Sequence, residues 1–283
     1  MSSYTVTQNI INALYKRREN WAHKGDFGRV LIIGGSIEYT GSPALVALAA
    51  LRSGCDLARI VAPRRCADAC SSFSPELITV PFQKDFLDAS AMPLIRRYMP
   101  WSKATSIGNG LGTRNGQKDL VDALLKESKT KLVLDADALK VLDKGLVNEK
   151  MLLTPNTNEF NLLFDMKLAA NVEERAIAVK GMAKKYGTNI LLKGHIDVIS
   201  DGEDVFLNKT NSAYMTKGGT GDTLTGICAS LISQGNDILT SACGAAFING
   251  YAGRTAGKAK RESFSVIDLI DNIYMPLTKW RHQ

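Results

Sequence analysis

Histidine is scarce in this chain. His23, His195 and His282 are the whole complement, too few and too scattered for a metal site built on two or three imidazoles. Cysteine is no better placed. Cys55, Cys66, Cys70, Cys228 and Cys243 make an odd number, and Cys66 and Cys70 have no second pair or nearby histidine to complete a zinc site. They read as free thiols of a reducing compartment. Aromatic residues are only 7% of the chain, and no basic stretch interleaves them as a base-stacking surface for nucleic acid does. Long apolar runs are missing too. The longest, residues 44–51, is too short to cross a bilayer, and residues 1–9 lack the basic and apolar regions of a secretory signal. The expectation is a cytoplasmic protein with neither a nucleic acid nor a membrane as partner. A G-x-S-x-G elbow, a complete G-x-x-x-x-G-K-[ST] loop and a complete G-x-G-x-x-G fingerprint are also absent.

Positive charge is in excess. Thirty-five Lys and Arg face twenty-eight Asp and Glu, for a net charge of +7. Such a balance favours anionic partners, and with nucleic acid and membrane set aside it points to phosphates of small molecules. A chain of 283 residues, 45% hydrophobic and 22% charged, has the composition of a folded globular protein. It lies near the upper size for one domain.

The apolar pattern alternates. Short runs at 29–33, which is β-branched-rich, and at 57–62, 77–81, 104–107, 131–134, 151–153 and 189–192 predict strands. Helices are predicted over 42–53, 117–126, 158–164, 172–186, 224–233, 238–253 and 266–274. Ser42 is placed as the N-cap of the first, with Pro43 in its first turn and Gly54 at its stop. Segments 198–200 and 205–207 read as a hairpin across Asp201-Gly202. Strands alternating with helices predict an α/β fold: a mostly parallel central sheet with helices on both faces and two or three antiparallel strands at one edge. No linker or repeat divides residues 1–283, so one domain is expected.

In such sheets ligands bind beyond the carboxyl ends of the strands. Glycines and acids recur there: Gly34-Gly35-Ser36, the glycine-rich 108–112, Asp135-Ala136-Asp137, Thr154 to Glu159, and Lys193-Gly194. The most informative stretch is Lys217-Gly218-Gly219-Thr220-Gly221-Asp222-Thr223-Leu224-Thr225-Gly226. Its glycines let backbone approach an anion, and the helix that follows aims free N–H groups and a positive dipole end at it. Asp222 in the first turn would repel a phosphate. It fits a base taking a proton from a substrate hydroxyl, or else a simple helix cap. Asp135 and Asp137 read as helix caps or as active-site acids, and Asp137 alternatively as a ribose partner. Glu159 reads either as a Mg²⁺ carboxylate acting through water or as a first-turn helix acid. Lys193 and Lys217 read as phosphate partners or as solvated lysines.

Taken in order, these motifs resemble the ADP- or ATP-dependent NAD(P)H-hydrate dehydratases of the ribokinase-like superfamily. The likeness opens at Lys24-Gly25-Asp26-Phe27-Gly28-Arg29-Val30-Leu31. It continues through Tyr39-Thr40-Gly41-Ser42-Pro43-Ala44 and Ala49-Ala50-Leu51-Arg52-Ser53-Gly54-Cys55-Asp56-Leu57, and runs to about Gly257. The resemblance implies a ribokinase-like three-layer sandwich. It implies a repair reaction as well: a nucleotide, ADP or ATP with Mg²⁺, phosphorylates the C6 hydroxyl of the S form of hydrated NADH or NADPH, and loss of phosphate restores the dinucleotide. Asp222 would be the catalytic base. Ala44, Gly110, Asn156 and Asp222 would face the hydrated dinucleotide. Lys193, Gly194, His195, Ile196, Asp197, Gly219, Thr220 and Gly221 would face the nucleotide.

Two segments depart from the family pattern. Pro155-Asn156-Thr157-Asn158-Glu159 stands where P-H-x-G-E is usual, so Asn156 replaces a substrate-side histidine. Asn249-Gly250-Tyr251-Ala252-Gly253-Arg254 stands where H-G-x-A-G-D is common. Asn156-x-x-Glu159 also matches the N-x-x-E of related sugar kinases, so a small-molecule kinase acting on a hydroxymethylpyrimidine, a thiazole alcohol or a sugar is the alternative. Family habit further implies a homo-oligomer. With about two dozen residues before Lys24, the epimerase that interconverts the two hydrates is expected on a separate chain.

Overall fold

A computed structural model describes residues 3–114 and 116–281; His282 lies outside them. Ten strands form one sheet: β1 (Tyr4–Thr5), β2 (Arg29–Ile33), β3 (Leu57–Pro63), β4 (Ile78–Phe82), β5 (Ala104–Ile107), β6 (Lys131–Leu134), β7 (Met151–Leu153), β8 (Asn189–Leu192), β9 (Asp197–Ser200) and β10 (Val205–Asn208). Their order across the sheet is β1-β10-β9-β8-β7-β6-β5-β2-β3-β4. Only β9 runs against its neighbours. The expected antiparallel edge is therefore a single reversed strand between β8 and β10, with β1 added outside, parallel to β10.

The central strands are buried along almost their whole length because both faces are covered. On β2, Val30 and Ile32 face one layer and Leu31 and Ile33 the other. The first layer holds α1 (Ile10–Leu14), α2 (Ser42–Arg52), α3 (Arg64–Phe73), α9 (Thr220–Ser233), α10 (Ile238–Lys260) and α11 (Val266–Asn272). Short α12 (Tyr274–Trp280) packs at its margin. The second layer holds α4 (Met92–Tyr98), α5 (Gln117–Glu127), α6 (Asp137–Val141), α7 (Thr157–Phe164) and α8 (Val172–Tyr186). This is the expected three-layer α/β sandwich. Among the described residues no helix is long and apolar enough to cross a membrane. All five cysteines are buried and unpaired.

Several boundaries differ from the sequence reading, and the helix read over 266–274 is two, α11 and α12, parted at Ile273. The N-cap of α2 is Gly41, and Ser42 is the first helical residue. Helix α9 starts at Thr220, not Leu224, because its first turn carries glycine and threonine in place of apolar residues. Helix α10 runs past Gly253 to Lys260, since Gly253 and Gly257 receive Met215 and Tyr214 and do not end it. Helix α3 follows β3 with no break beyond Pro63 and buries Cys66, Ala67 and Cys70; the sequence reading did not include it.

Candidate active site

At the end of β5 the chain turns through Gly108, whose φ of +127° a side chain rarely adopts. A Cβ there would stand 1.9 Å from the Asp135 carbonyl oxygen, so only glycine lets the β5 and β6 ends come together. That contact brings the buried Asn109 to the centre of the crevice. Its Nδ2 donates to Asp222 Oδ1 at 2.7 Å and to Asp135 Oδ2 at 3.0 Å. Asp135, at the end of β6, also accepts from Thr225 Oγ1 on α9 at 2.7 Å and pairs with Lys193 Nζ at 2.5 Å. Lys193, just past β8, lies 3.7 Å from Glu159 Oε2 on α7. Five elements thus converge on one network.

Its charges are tuned apart. Burial alone would raise Asp135, but the Lys193 ammonium and the hydrogen bonds of Lys193, Thr225 and Thr154 hold it below the usual carboxylate range. Burial would likewise lower Lys193, yet the Asp135 and Glu159 carboxylates outweigh it and keep the ammonium above its ordinary value. Asp222 is different. Enclosure pushes its pKa up to about 6, and the Asp135 charge adds to this; Asn109, Ser42 and Lys193 oppose it. A carboxyl poised near neutrality is what a general base requires.

The reading of Asp222 as a helix cap does not hold. Gly219 is the N-cap of α9, at φ +94°, and no side chain caps this end. The first helical bond runs from Thr223 N to Gly219 O, so the Gly221 and Asp222 amides have no helical acceptor. A Cβ on Gly221 would lie 3.5 Å from Lys193 Nζ, placing an ammonium beside those free N–H groups. Together they are an arrangement that could hold an anion. Thr220 turns its hydroxyl back to the Met215 and Lys217 carbonyls, and Lys217 itself reaches the Glu262 carbonyl.

A cavity of about 360 Å³ opens in front of this helix end. Lys193, Gly194, His195, Asp197, Thr220 and Gly221 line it, with Asn156 and Asn249. Six of the eight residues expected at the nucleotide therefore share one wall, while Ile196 and Gly219 adjoin it in the chain. Asp197 offers no free carboxylate. It is buried and accepts from Gly194 N, Asn208 and Asn211, so it shapes the loop.

Asp222 faces the other way, toward Ser42 and Asn109. Gly110 is on that side, close to Tyr39 and Ser42. Ala44 follows in the first turn of α2, its side chain buried in the core, so only its backbone is left for a ligand. Asn156, expected on the substrate side, lines the nucleotide-side cavity and also caps α7. Its Oδ1 accepts from Glu159 N at 3.0 Å, while its own N–H donates to Glu159 Oε2 at 2.8 Å. Asp137 is committed to Gly112 N and Lys140.

Among the described residues no three His, Cys, Asp or Glu side chains gather as a metal site. Glu159 Oε2 is shared between the Asn156 amide and Lys193. A magnesium ion at this site would therefore have to be carried mainly by phosphates and water.

A family model described as NAD(P)H-hydrate dehydratase matches residues 30–274. The chain belongs to the NAD(P)H-hydrate dehydratase family. An ADP-dependent (S)-NAD(P)H-hydrate dehydratase of Cenarchaeum symbiosum is 36% identical over 275 residues, covering 96% of each chain. A bifunctional NAD(P)H-hydrate repair enzyme of Pyrobaculum aerophilum is 40% identical over 252 residues, covering 88% of this chain. The chain spans 50% of the length of that bifunctional relative. Among solved structures, a ribokinase-like superfamily protein of Enterococcus faecalis superposes with a TM-score of 0.87 at 22% identity, over 99% of this chain and 97% of that one. The ADP/ATP-dependent NAD(P)H-hydrate dehydratase of Bacillus subtilis, co-crystallised with ATP and Mg²⁺, gives 0.82 at 23% identity, over 99% of this chain and all of that one. The fold of the dehydratase family is therefore ribokinase-like, as expected.

Within the family frame, the sequence reading missed Asn109, Ser42 and Thr225 as site residues. Asn109 sat inside a run prized only for its glycines. An amide at a strand's carboxyl end, between two glycines, was the available signal.

Proposed function

We propose that the protein dehydrates the S form of hydrated NADH or NADPH at the expense of a nucleotide. One observation carries the reading: a base poised near neutrality stands beside an uncapped helix N-terminus that a half-buried lysine shares. Asp222 takes the proton of the C6 hydroxyl. The freed oxygen attacks the terminal phosphorus of the nucleotide, the bond from that phosphorus to its bridging oxygen breaks, and AMP leaves from ADP or ADP from ATP; the Gly221 and Asp222 amides with Lys193 stabilise charge on the phosphoryl group as it moves. The new C6 phosphate then leaves with its electron pair, and loss of a ring proton restores the double bond. Magnesium would arrive with the nucleotide's phosphates, neutralise part of their charge, and be held through water by Glu159.

ADP is the favoured phosphoryl donor, on the name of the Cenarchaeum symbiosum relative. ATP is the second candidate. The nucleotide lies against Lys193, Gly194, His195, Thr220 and Gly221; the hydrate lies against Gly110, the Ala44 backbone and Asp222. A homo-oligomer in the cytoplasm, with residues 1–283 as one catalytic domain, is the proposed working form. Five unpaired thiols support the reducing compartment. An epimerase for the other hydrate is the proposed functional partner.

The test is direct. Incubation with hydrated NADH and ADP should restore the NADH absorbance band and release inorganic phosphate. A kinase would instead leave a stable phosphorylated product, and no recovery with ADP or ATP from folded protein would overturn the proposal.

A further inference from the structure

We infer that Asn109 is a positioning residue: its amide clamps the Asp222 base to the Asp135–Lys193 pair and holds that base in its ionised, proton-accepting form. The clamp uses both N–H bonds of one side-chain amide. One goes to Asp222 Oδ1 at 2.7 Å and the other to Asp135 Oδ2 at 3.0 Å. A primary amide has two N–H donors, so Asn109 spends its full donor capacity on two carboxylates that would otherwise repel. Asn109 is 2% exposed, so water does not compete for these bonds, and hydrogen bonds to a charged acceptor are the strong ones.

The choice of an amide has a chemical reason. Asp135 has taken the cation, with Lys193 at 2.5 Å, and is held ionised as a fixed charge. A second ammonium on Asp222 would lower its proton affinity too far for a base near neutral pH. A neutral donor favours the carboxylate modestly and leaves it basic. Nor can an amide pass a proton onward, so the proton Asp222 accepts stays on Asp222 and does not drain to Asp135.

The charged groups facing Asp222 are few. Asp135 comes from β6 and Lys193 from the end of β8, with Glu159 of α7 behind Lys193. From α2 and the turn after β5 it meets only the neutral Ser42 and Asn109. Removing Asn109 therefore leaves Ser42 as the main hydrogen-bond donor and exposes Asp222 more fully to the Asp135 charge.

The kinetic test rests on the dehydratase reading: the pH dependence of kcat in wild type, Asn109→Ala and Asn109→Asp. The acid limb follows ionisation of Asp222. It should move up by about one pH unit in Asn109→Ala, the worth of one strong hydrogen bond to a charged group. It should move further in Asn109→Asp, which keeps the shape and replaces the donor by a third carboxylate. A merely structural asparagine would lower kcat equally at every pH, and that flat loss would overturn the inference. A second measurement needs no turnover. The ¹³C carboxyl resonance of Asp222, identified by its loss in Asp222→Asn, should titrate in the same order across the three proteins. Unchanged titration in folded Asn109→Ala and Asn109→Asp sinks the clamp, whatever the substrate proves to be.

Discussion

Two side chains carry opposite duties in this crevice, and substitution should separate them. In Asp222→Asn the base is gone, and kcat should fall about 10²- to 10⁴-fold, the usual worth of general-base catalysis. Nucleotide affinity, read by calorimetry with ADP, should hold, because the free amides and Lys193 remain. Lys193→Met should behave differently. It strands Asp135, which is 1% exposed, as a buried charge without its cation, and removing one partner of such a pair costs about 3–5 kcal/mol. Urea denaturation should show that loss together with weaker ADP binding. How legible each residue was follows from the range of its contacts. Asp222 stands in a local motif whose meaning lies in its neighbours, so the sequence offers it as a candidate. Asn109 acts through partners 26 and 113 positions away, and no local pattern records those distances.

At the scale of elements, strands were legible and short helices were not. A strand covered on both faces is mostly apolar, and runs such as Val30-Leu31-Ile32-Ile33 say so directly. Helices α1, α4 and α6 span only 5, 7 and 5 residues, too few turns for a period to emerge. The element that matters most is the start of α9. Its N-cap Gly219 has φ +94°, and a Cβ there would meet Leu45 Cδ1 at 2.7 Å. Gly219→Ala should therefore lose about 1–2 kcal/mol to backbone strain, and the shifted helix end should also weaken ADP binding severalfold. Gly235→Ala is the control, because Gly235 has nearly the same φ, +95°, with nothing within 4 Å. It should lose similar stability yet bind ADP as wild type does. Equal ADP affinity in both variants would mean that the helix end does not grip the nucleotide.

For the whole molecule, the net charge of +7 proves a poor guide to the site. Within the crevice Lys193 faces three carboxylates, Asp135, Glu159 and Asp222, so in the proposed function a phosphate would be held by backbone amides and one lysine against a locally acidic wall. That arrangement costs the fold stability. A carboxyl whose pKa rises from 3.8 to about 6 opposes folding by about 2–3 kcal/mol once ionised. Below pH 4 Asp222 is protonated in folded and unfolded chains alike, and wild type and Asp222→Asn should melt together. Between pH 4 and 6 the unfolded chain has released this proton while the folded one still holds it, so wild type loses stability relative to the variant. Above pH 6 the gap is complete. At pH 8 the inactive Asp222→Asn protein should thus melt several degrees higher than wild type, and the difference should close as the pH is lowered toward 4. Calorimetric scans across that range read it directly. A variant that melts below wild type at pH 8 would show that the base is comfortable in its pocket, and that enclosure does not set its proton affinity.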